Sequence, residues 1–310
     1  MEGGFHAHDP RFAEVTGPDP RLELLIGTEA HEGPVHAADE NALYVTAHSG
    51  IRRIDLDGGR LPLPAGAATT VHAGVTNPNG MTMDRDGRLV VCEQGSFERP
   101  ARISRLDRRT GALETLVEDV DGAPLNSPND VIVAADGAVW FTDPSYGHLQ
   151  GFRPAPALPD RVYRHDPATG RTAPVADGFD KPNGLVLSPD GRTLYVGDSG
   201  ADGGVAGGFD PARPHWIDAW DVGPDGALSG RRRFGTPAAG VPDGMATDAG
   251  GRLYSSFAGG VEVRAPDGAL LGEIRLPGAV NLTFGGPGRD LLLITADTAV
   301  WAARLTTQGA

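Results

Sequence analysis

Apolar and polar residues alternate in short runs along the chain, and most runs are opened by a turn rich in glycine, proline or asparagine. The clearest series pairs a turn with a strand. It reads Glu40-Asn41-Ala42-Leu43-Tyr44-Val45, Asp86-Gly87-Arg88-Leu89-Val90-Val91, Asp136-Gly137-Ala138-Val139-Trp140-Phe141, Asp190-Gly191-Arg192-Thr193-Leu194-Tyr195, Gly250-Gly251-Arg252-Leu253-Tyr254-Ser255 and Gly288-Arg289-Asp290-Leu291-Leu292-Leu293. Asp-Gly favours a tight hairpin because both residues tolerate positive φ, and alternation with a period of two marks a half-buried strand. The anchors Leu43, Leu89, Val139, Leu194, Leu253 and Leu291 are separated by 46, 50, 55, 59 and 38 residues. A repeat of roughly 40–50 residues is the size of one propeller blade.

A second alternating strand follows each anchor: Ile51-Arg52-Arg53-Ile54, Ala101–Leu106, Arg161-Val162-Tyr163-Arg164, Trp216–Trp220, Val261-Glu262-Val263 and Val300–Ala303. More variable fourth strands are expected at Thr115-Leu116-Val117 and Thr172-Ala173-Pro174-Val175. The last unit has no room for its own fourth strand before Ala310, whereas Leu22-Glu23-Leu24-Leu25-Ile26 is a spare strand at the front. The pattern therefore predicts an all-β, six-bladed β-propeller, residues 1–310 forming one domain. Its ring is closed by the N-terminal strand pairing with the last blade, which removes an exposed sheet edge. Residues 1–20 are expected to be an irregular extension. Two long loops, 142–160 and 198–215, follow hairpin strands and are expected over one face.

Composition fits this picture. The 45 Gly and 26 Pro among 310 residues lie between apolar runs and act as turn punctuation. A net charge of −14 disfavours nucleic acid and anionic membranes and suits cation binding. One cysteine, Cys92, excludes an internal disulfide and a thiolate metal cluster; it reads as a small buried hydrophobe. No apolar run approaches the ~20 residues of a membrane span. Met1-Glu2-Gly3-Gly4-Phe5-His6 lacks the basic and apolar regions of a signal peptide, so a cytoplasmic location is expected.

The chemistry lies in the turns that open the innermost strands. Glu32-Gly33-Pro34-Val35, Asn77-Pro78-Asn79-Gly80-Met81, Ser127-Pro128-Asn129-Asp130-Val131, Lys181-Pro182-Asn183-Gly184-Leu185, Pro242-Asp243-Gly244-Met245 and the segment at Asn281 each place one polar residue at the same point of a blade. In a propeller these residues surround one mouth of the central channel. Buried polar groups cost roughly 1–3 kcal/mol each when unpaired, so such a ring calls for water or an ion. Glu32, Asn129, Asn183 and Asp243 offer only oxygen and carry two negative charges. That set selects one hard divalent cation, Ca²⁺ first, then Mg²⁺ or Mn²⁺; Zn²⁺ is less suited because no His or Cys takes part. Asn79 is a candidate for lining the pocket. Asp130 alternates to the other side of its strand and is read as structural, tying two blades.

Strand ends that lead into loops commonly face ligands. On that ground Glu93, Tyr146 and His148 are candidate substrate contacts, as are Asn79, Asn129 and His31. The chain shows no Gly-x-Ser-x-Gly elbow, phosphate loop or dinucleotide fingerprint.

The Glu-Gly-Pro, Ser-Pro-Asn-Asp, Pro-Asn-Gly-Leu and Pro-Asp-Gly-Met turns, in this order, resemble those of the SMP-30/gluconolactonase/LRE-like six-bladed propellers. The stretches Trp140–Gly147, Phe179–Gly184 and His31–Val35 look most like the gluconolactonases and fungal-type lactonohydrolases. The resemblance implies a calcium-type ion held by Glu32, Asn183 and Asp243, with Asn129 as ligand or substrate contact. It also implies hydrolysis of a sugar or aldono lactone by a carboxylic ester hydrolase. In animal members an arginine that grips substrate stands where this chain has Ser127. The expected mechanism is metal-assisted: the ion polarises the carbonyl, and Asp243 or the metal activates the attacking water, with Glu32 mainly a ligand. The alternatives are hydrolysis of another ester, a phosphotriester or a specialised secondary-metabolite lactone, or a non-catalytic calcium-binding propeller. The expected partner is a small-molecule lactone, with no nucleic acid and no membrane, and the expected assembly is a monomer or weak homodimer.

Overall fold

A computed structural model describes residues 4–57 and 61–310. Six antiparallel sheets follow one another around an axis. The first blade is built from Glu32–Ala37, Ala42–Ala47, Gly50–Asp55 and Ala68–His72. The second uses Pro78–Met83, Leu89–Glu93, Arg102–Leu106 and Leu113–Val117, and the third Val131–Val133, Val139–Asp143, Arg161–Asp166 and Arg171–Ala176. The fourth uses Pro182–Leu187, Thr193–Asp198, Trp216–Val222 and Leu228–Gly235; the fifth uses Met245–Thr247, Leu253–Phe257, Gly260–Arg264 and Leu270–Arg275. The sixth is assembled from both ends of the chain: Asn281–Gly285, Leu291–Ala296 and Ala299–Arg304 are completed by Leu22–Gly27. Leu22 sits opposite Ala303 and Leu24 opposite Trp301. The six-bladed all-β reading and the closing strand therefore hold.

Each strand sends alternate side chains to the two faces of its sheet, and both faces of a blade pack on neighbouring blades. Consequently the second strands are buried apart from a few end residues, and Ala42–Ala47, Leu89–Glu93 and Val139–Asp143 are buried throughout. The core lies between blades rather than within one layer. Val90, Cys92 and Ile103 of the second blade pack with Val131, Phe141 and Tyr163 of the third. Trp140 and Val162 pack with Leu185, Leu194 and Val196 of the fourth.

The N-terminal segment is where the expectation of an irregular extension fails, although residues 1–3 lie outside the described residues. Gly4–Ala7 forms a fifth strand on the outer edge of the fifth blade, with Phe5 opposite Ile274. Pro10–Phe12 and Ala13–Thr16 form helical turns that bury Phe12 and Val15 against Leu271, Ile274 and Leu305. Gly272 makes room, because a Cβ there would lie 2.4 Å from the Phe12 ring. Two large apolar side chains supply the burial that orders this segment.

Along the axis the inner strands enclose a cavity of about 640 Å³ lined by Met81, Asp130, Leu185, Met245 and Asn281 among others. Among the described residues no helix is long and apolar enough to cross a membrane.

Candidate metal centre and active site

In the second, third and fourth blades the chain reaches the innermost strand through a loop whose backbone is pinned by an acid at the end of the second strand of the same blade. Glu93 accepts from the Thr76 amide at 2.8 Å. Asp143 accepts from Asn126 and Ser127, both at 2.9 Å. Asp198 accepts from Asp180 and Lys181 at 3.1 and 2.9 Å. Hydroxyls then tie neighbouring blades: Thr46 Oγ1 donates to the Asn79 carbonyl at 2.7 Å and Thr142 Oγ1 to the Asn183 carbonyl at 2.8 Å. The Asp130 carboxylate accepts from Val131 of its own blade and Leu185 of the next, which is the tying role expected of it. Burial pushes Asp130 up to about 7, and the nearby Glu32 charge adds to the effect.

This scaffold sets the polar ring. Glu32, Asn79, Asn129, Asn183 and Asn281 are buried, and Asp243 is partly exposed. Glu32 Oε2 accepts from the Gly33 amide at 3.0 Å and from Asn281 Nδ2 at 2.6 Å. Asn281 Oδ1 in turn accepts from Leu282 at 2.7 Å, so Asn281 is spent on holding Glu32. The amide oxygens of Asn79, Asn129 and Asn183 behave differently: all three are buried and none has a hydrogen-bond partner among the described residues. Buried polar atoms are ordinarily paired, and three unpaired acceptors beside two carboxylates form a site short of positive charge. Glu32 and Asp243 record the same shortage. Burial raises the proton affinity of both, and for Asp243 the Glu32 charge is the next cause. The set matches what a hard divalent cation requires, namely oxygen ligands including two acids. Asn79 belongs to it on the same footing as Asn129 and Asn183. Among the described residues no cluster of three or more His, Cys, Asp or Glu side chains forms a metal site, so an ion at this ring would need the amide oxygens as ligands.

Tyr146 opens the one-turn helix Tyr146–Leu149 in the loop after the third blade's second strand. Its hydroxyl accepts from Asn183 Nδ2 at 3.4 Å, and burial and then the Asp243 charge keep the phenol neutral. His148, on the same turn, is exposed. His31 is half-buried; its Nδ1 lies 2.6 Å from Asp297, and a positive charge on its ring would favour ionised Glu32 beside it. Cys92 is buried, and burial pushes its thiol well up, as suits a small apolar filler.

Glu93, expected as a substrate contact, is committed to the blade instead. It is fully buried, with Oε1 2.8 Å from Arg102 Nε and Oε2 shared by Arg102 Nη2 and the Thr76 amide. Both oxygens are consumed by the blade, so it holds structure and is not free for substrate. The signal lay in the strand register: Arg102 faces Glu93 directly across the sheet.

Four further residues hold the ring and its loops, and of these Arg153 carried no signal in the sequence. Ser127 is fully buried; its Oγ donates to Pro144 O at 2.6 Å and accepts from the Gly147 amide at 2.9 Å, docking the loop that carries Tyr146. Arg153 donates to the carbonyls of Asn126, Leu125, Ser96 and Arg99 at 2.8–3.1 Å. Ser199 donates to Pro242 O at 2.5 Å. Lys181 adds a bridge, its Nζ lying 3.0 Å from Asp160 and 2.8 Å from the Asp180 carbonyl.

Comparison with known proteins places this geometry. The model of the SMP-30/Gluconolactonase/LRE-like region matches residues 30–298. The chain belongs to that family. Among its relatives is a gluconolactonase of Zymomonas mobilis, 34% identical over 93% of this chain and 85% of the relative. Lactonohydrolase oryL of Aspergillus oryzae is 30% identical over 90% of this chain and 69% of its own. The solved gluconolactonase XC5397 of Xanthomonas campestris superposes with a TM-score of 0.83 at 34% identity, covering 97% of this chain and 95% of that one. All six ring positions and the loop bearing Tyr146 lie inside the family's matched span.

Proposed function

We propose that this family member is a divalent-cation-dependent lactonase acting on a sugar or aldono-type lactone. The observation that carries the reading is the trio of buried, unpaired amide oxygens of Asn79, Asn129 and Asn183 beside Glu32 and Asp243. The gluconolactonase and lactonohydrolase relatives support the substrate class. Glu32, Asn129, Asn183 and Asp243, with Asn79, would hold the ion, Ca²⁺ before Mg²⁺ or Mn²⁺. A bound cation supplies Lewis-acid polarisation of the lactone carbonyl and charge for the developing oxyanion.

The chain's own groups do the rest. Asp243 is the ring carboxylate with solvent access, so it is the one that can meet an attacking water as a general base. It takes a proton from water as that oxygen bonds to the carbonyl carbon. The oxyanion then collapses, the ring C–O bond breaks, and the departing oxygen takes the proton back from Asp243 to leave the open hydroxy acid. Glu32 is fixed by Asn281 and Gly33 and serves as a ligand. The neutral Tyr146 phenol is a hydrogen-bond donor for substrate, while His148 is exposed and His31 half-buried.

The test is a pH-indicator assay on glucono-δ-lactone and a panel of γ- and δ-lactones, with metal-stripped protein and with Ca²⁺, Mg²⁺, Mn²⁺ or Zn²⁺ restored. Turnover that returns with Ca²⁺ is expected. Full turnover in the stripped protein refutes the cation dependence. Cation-dependent stabilisation without turnover on any lactone refutes the catalytic reading and leaves a binding propeller.

A further inference from the structure

Ser199 follows the second strand of the fourth blade and is fully buried. Its hydroxyl proton is committed to the Pro242 carbonyl at 2.5 Å, and a carbonyl can only accept. The Ser199 oxygen therefore offers only lone pairs to its other side-chain neighbours, the Tyr146 hydroxyl and Asn183, the latter 3.3 Å away. An amide has one donating and one accepting end, and the two are nearly equal in shape. Only the Asn183 NH₂ satisfies Ser199, and the same nitrogen reaches Tyr146 Oη at 3.4 Å. The accepting end, Oδ1, is then the end left without a partner. Pro242 directly precedes Asp243, so one chain of hydrogen bonds runs from the backbone beside Asp243, through Ser199, to the Asn183 side chain.

We infer that Ser199 is a positioning residue that fixes the polarity of the Asn183 amide, so that oxygen and not nitrogen is presented to the cation, and locks Asn183 to the Asp243 turn. This inference rests on the cation reading above. Tyr146 supports the same orientation from the loop side, and Ser127 holds that loop through Pro144 and Gly147. Without Ser199 the amide is free to turn over, and a turned amide sets N–H groups against a cation.

The experiment compares wild type, Ser199→Ala and Ser199→Thr, with Tyr146→Phe as a second probe. Two quantities are read: the Ca²⁺ dissociation constant by calorimetry on stripped protein, and hydrogen exchange of the Asn183 side-chain amide by NMR in the cation-free state. Ser199→Ala is expected to weaken Ca²⁺ binding about tenfold, the order of one lost hydrogen bond at a charged site, and to speed exchange. Ser199→Thr keeps the hydroxyl and is expected to restore both toward wild type, and Tyr146→Phe to fall between. Wild-type affinity and unchanged exchange in Ser199→Ala overturn the inference. If wild type binds no divalent cation, the functional reading fails, and the exchange comparison still decides whether Ser199 sets the amide.

Discussion

Replacing Arg153 by methionine removes a buried charge while keeping most of the side chain's apolar stem. The guanidinium makes four hydrogen bonds of 2.8–3.1 Å to carbonyls on two separate loops, and among the described residues no salt bridge pairs it with an acid. The bonds to Leu125 and Asn126 are buried, whereas those to Ser96 and Arg99 are reached by solvent and can be replaced by water. Bonds from a charged donor contribute about 1.5–3 kcal/mol each, so the two buried ones amount to roughly 3–6 kcal/mol. Relief from burying a charge offsets part of this, and a net loss of roughly 2–3 kcal/mol is expected. Urea unfolding of the two proteins measures it. Since Arg153 also holds the loop that presents Tyr146, KM for lactone should rise several-fold more than kcat falls. Arg153→Lys, which keeps charge but not the fork of donors, should lie between. A loss under about 0.5 kcal/mol, which is within the range of ordinary surface substitutions, would refute the idea that these carbonyls depend on Arg153.

Three further outcomes follow from the same geometry. Asp243→Asn should lower kcat by about 10²–10⁴, the usual weight of a general base, with the circular dichroism of the fold unchanged; retention of most activity would remove Asp243 from that role. Gly184→Ala places a Cβ 2.1 Å from the Asp243 carbonyl oxygen, and should cost about 1–3 kcal/mol by overpacking and abolish Ca²⁺ binding; calorimetry showing wild-type affinity would contradict that close approach. Burial pushes Asp143 up to about 7 from an ordinary 3.8, so the folded protein keeps a proton that the unfolded chain has released between these values. Its stability should therefore fall as pH rises from about 4 to about 7, by no more than roughly 4 kcal/mol from this group. Asp143→Asn should flatten that part of the profile in stripped protein, and an identical slope in the variant would dismiss the assignment.

The radial repeat was legible in the sequence because it is a local property. Turn chemistry and period-two alternation fix strands within a few residues, and six copies of one pattern can bury their faces only on one another. The ring residues Glu32, Asn79, Asn129, Asn183 and Asp243 followed from the same logic, since equivalent positions of equivalent blades converge on the axis. The N-terminal segment did not follow, because Phe12 and Val15 carry no repeat and are ordered only by the fifth and sixth blades they pack on. Glu93 looked like a rim residue because it ends a strand; only its facing partner Arg102 shows that its charge is already used. What tertiary structure alone decided is which polar atoms are satisfied. Asn281 and Asn183 are the same residue type at the same blade position, yet Asn281 is consumed by Glu32 and Leu282, while Ser199 and Tyr146 leave the Asn183 oxygen unpaired. Hydrogen-bond satisfaction depends on neighbours brought together from distant parts of the chain, and so the sequence by itself determined the ring while the assembled blades determined its chemistry.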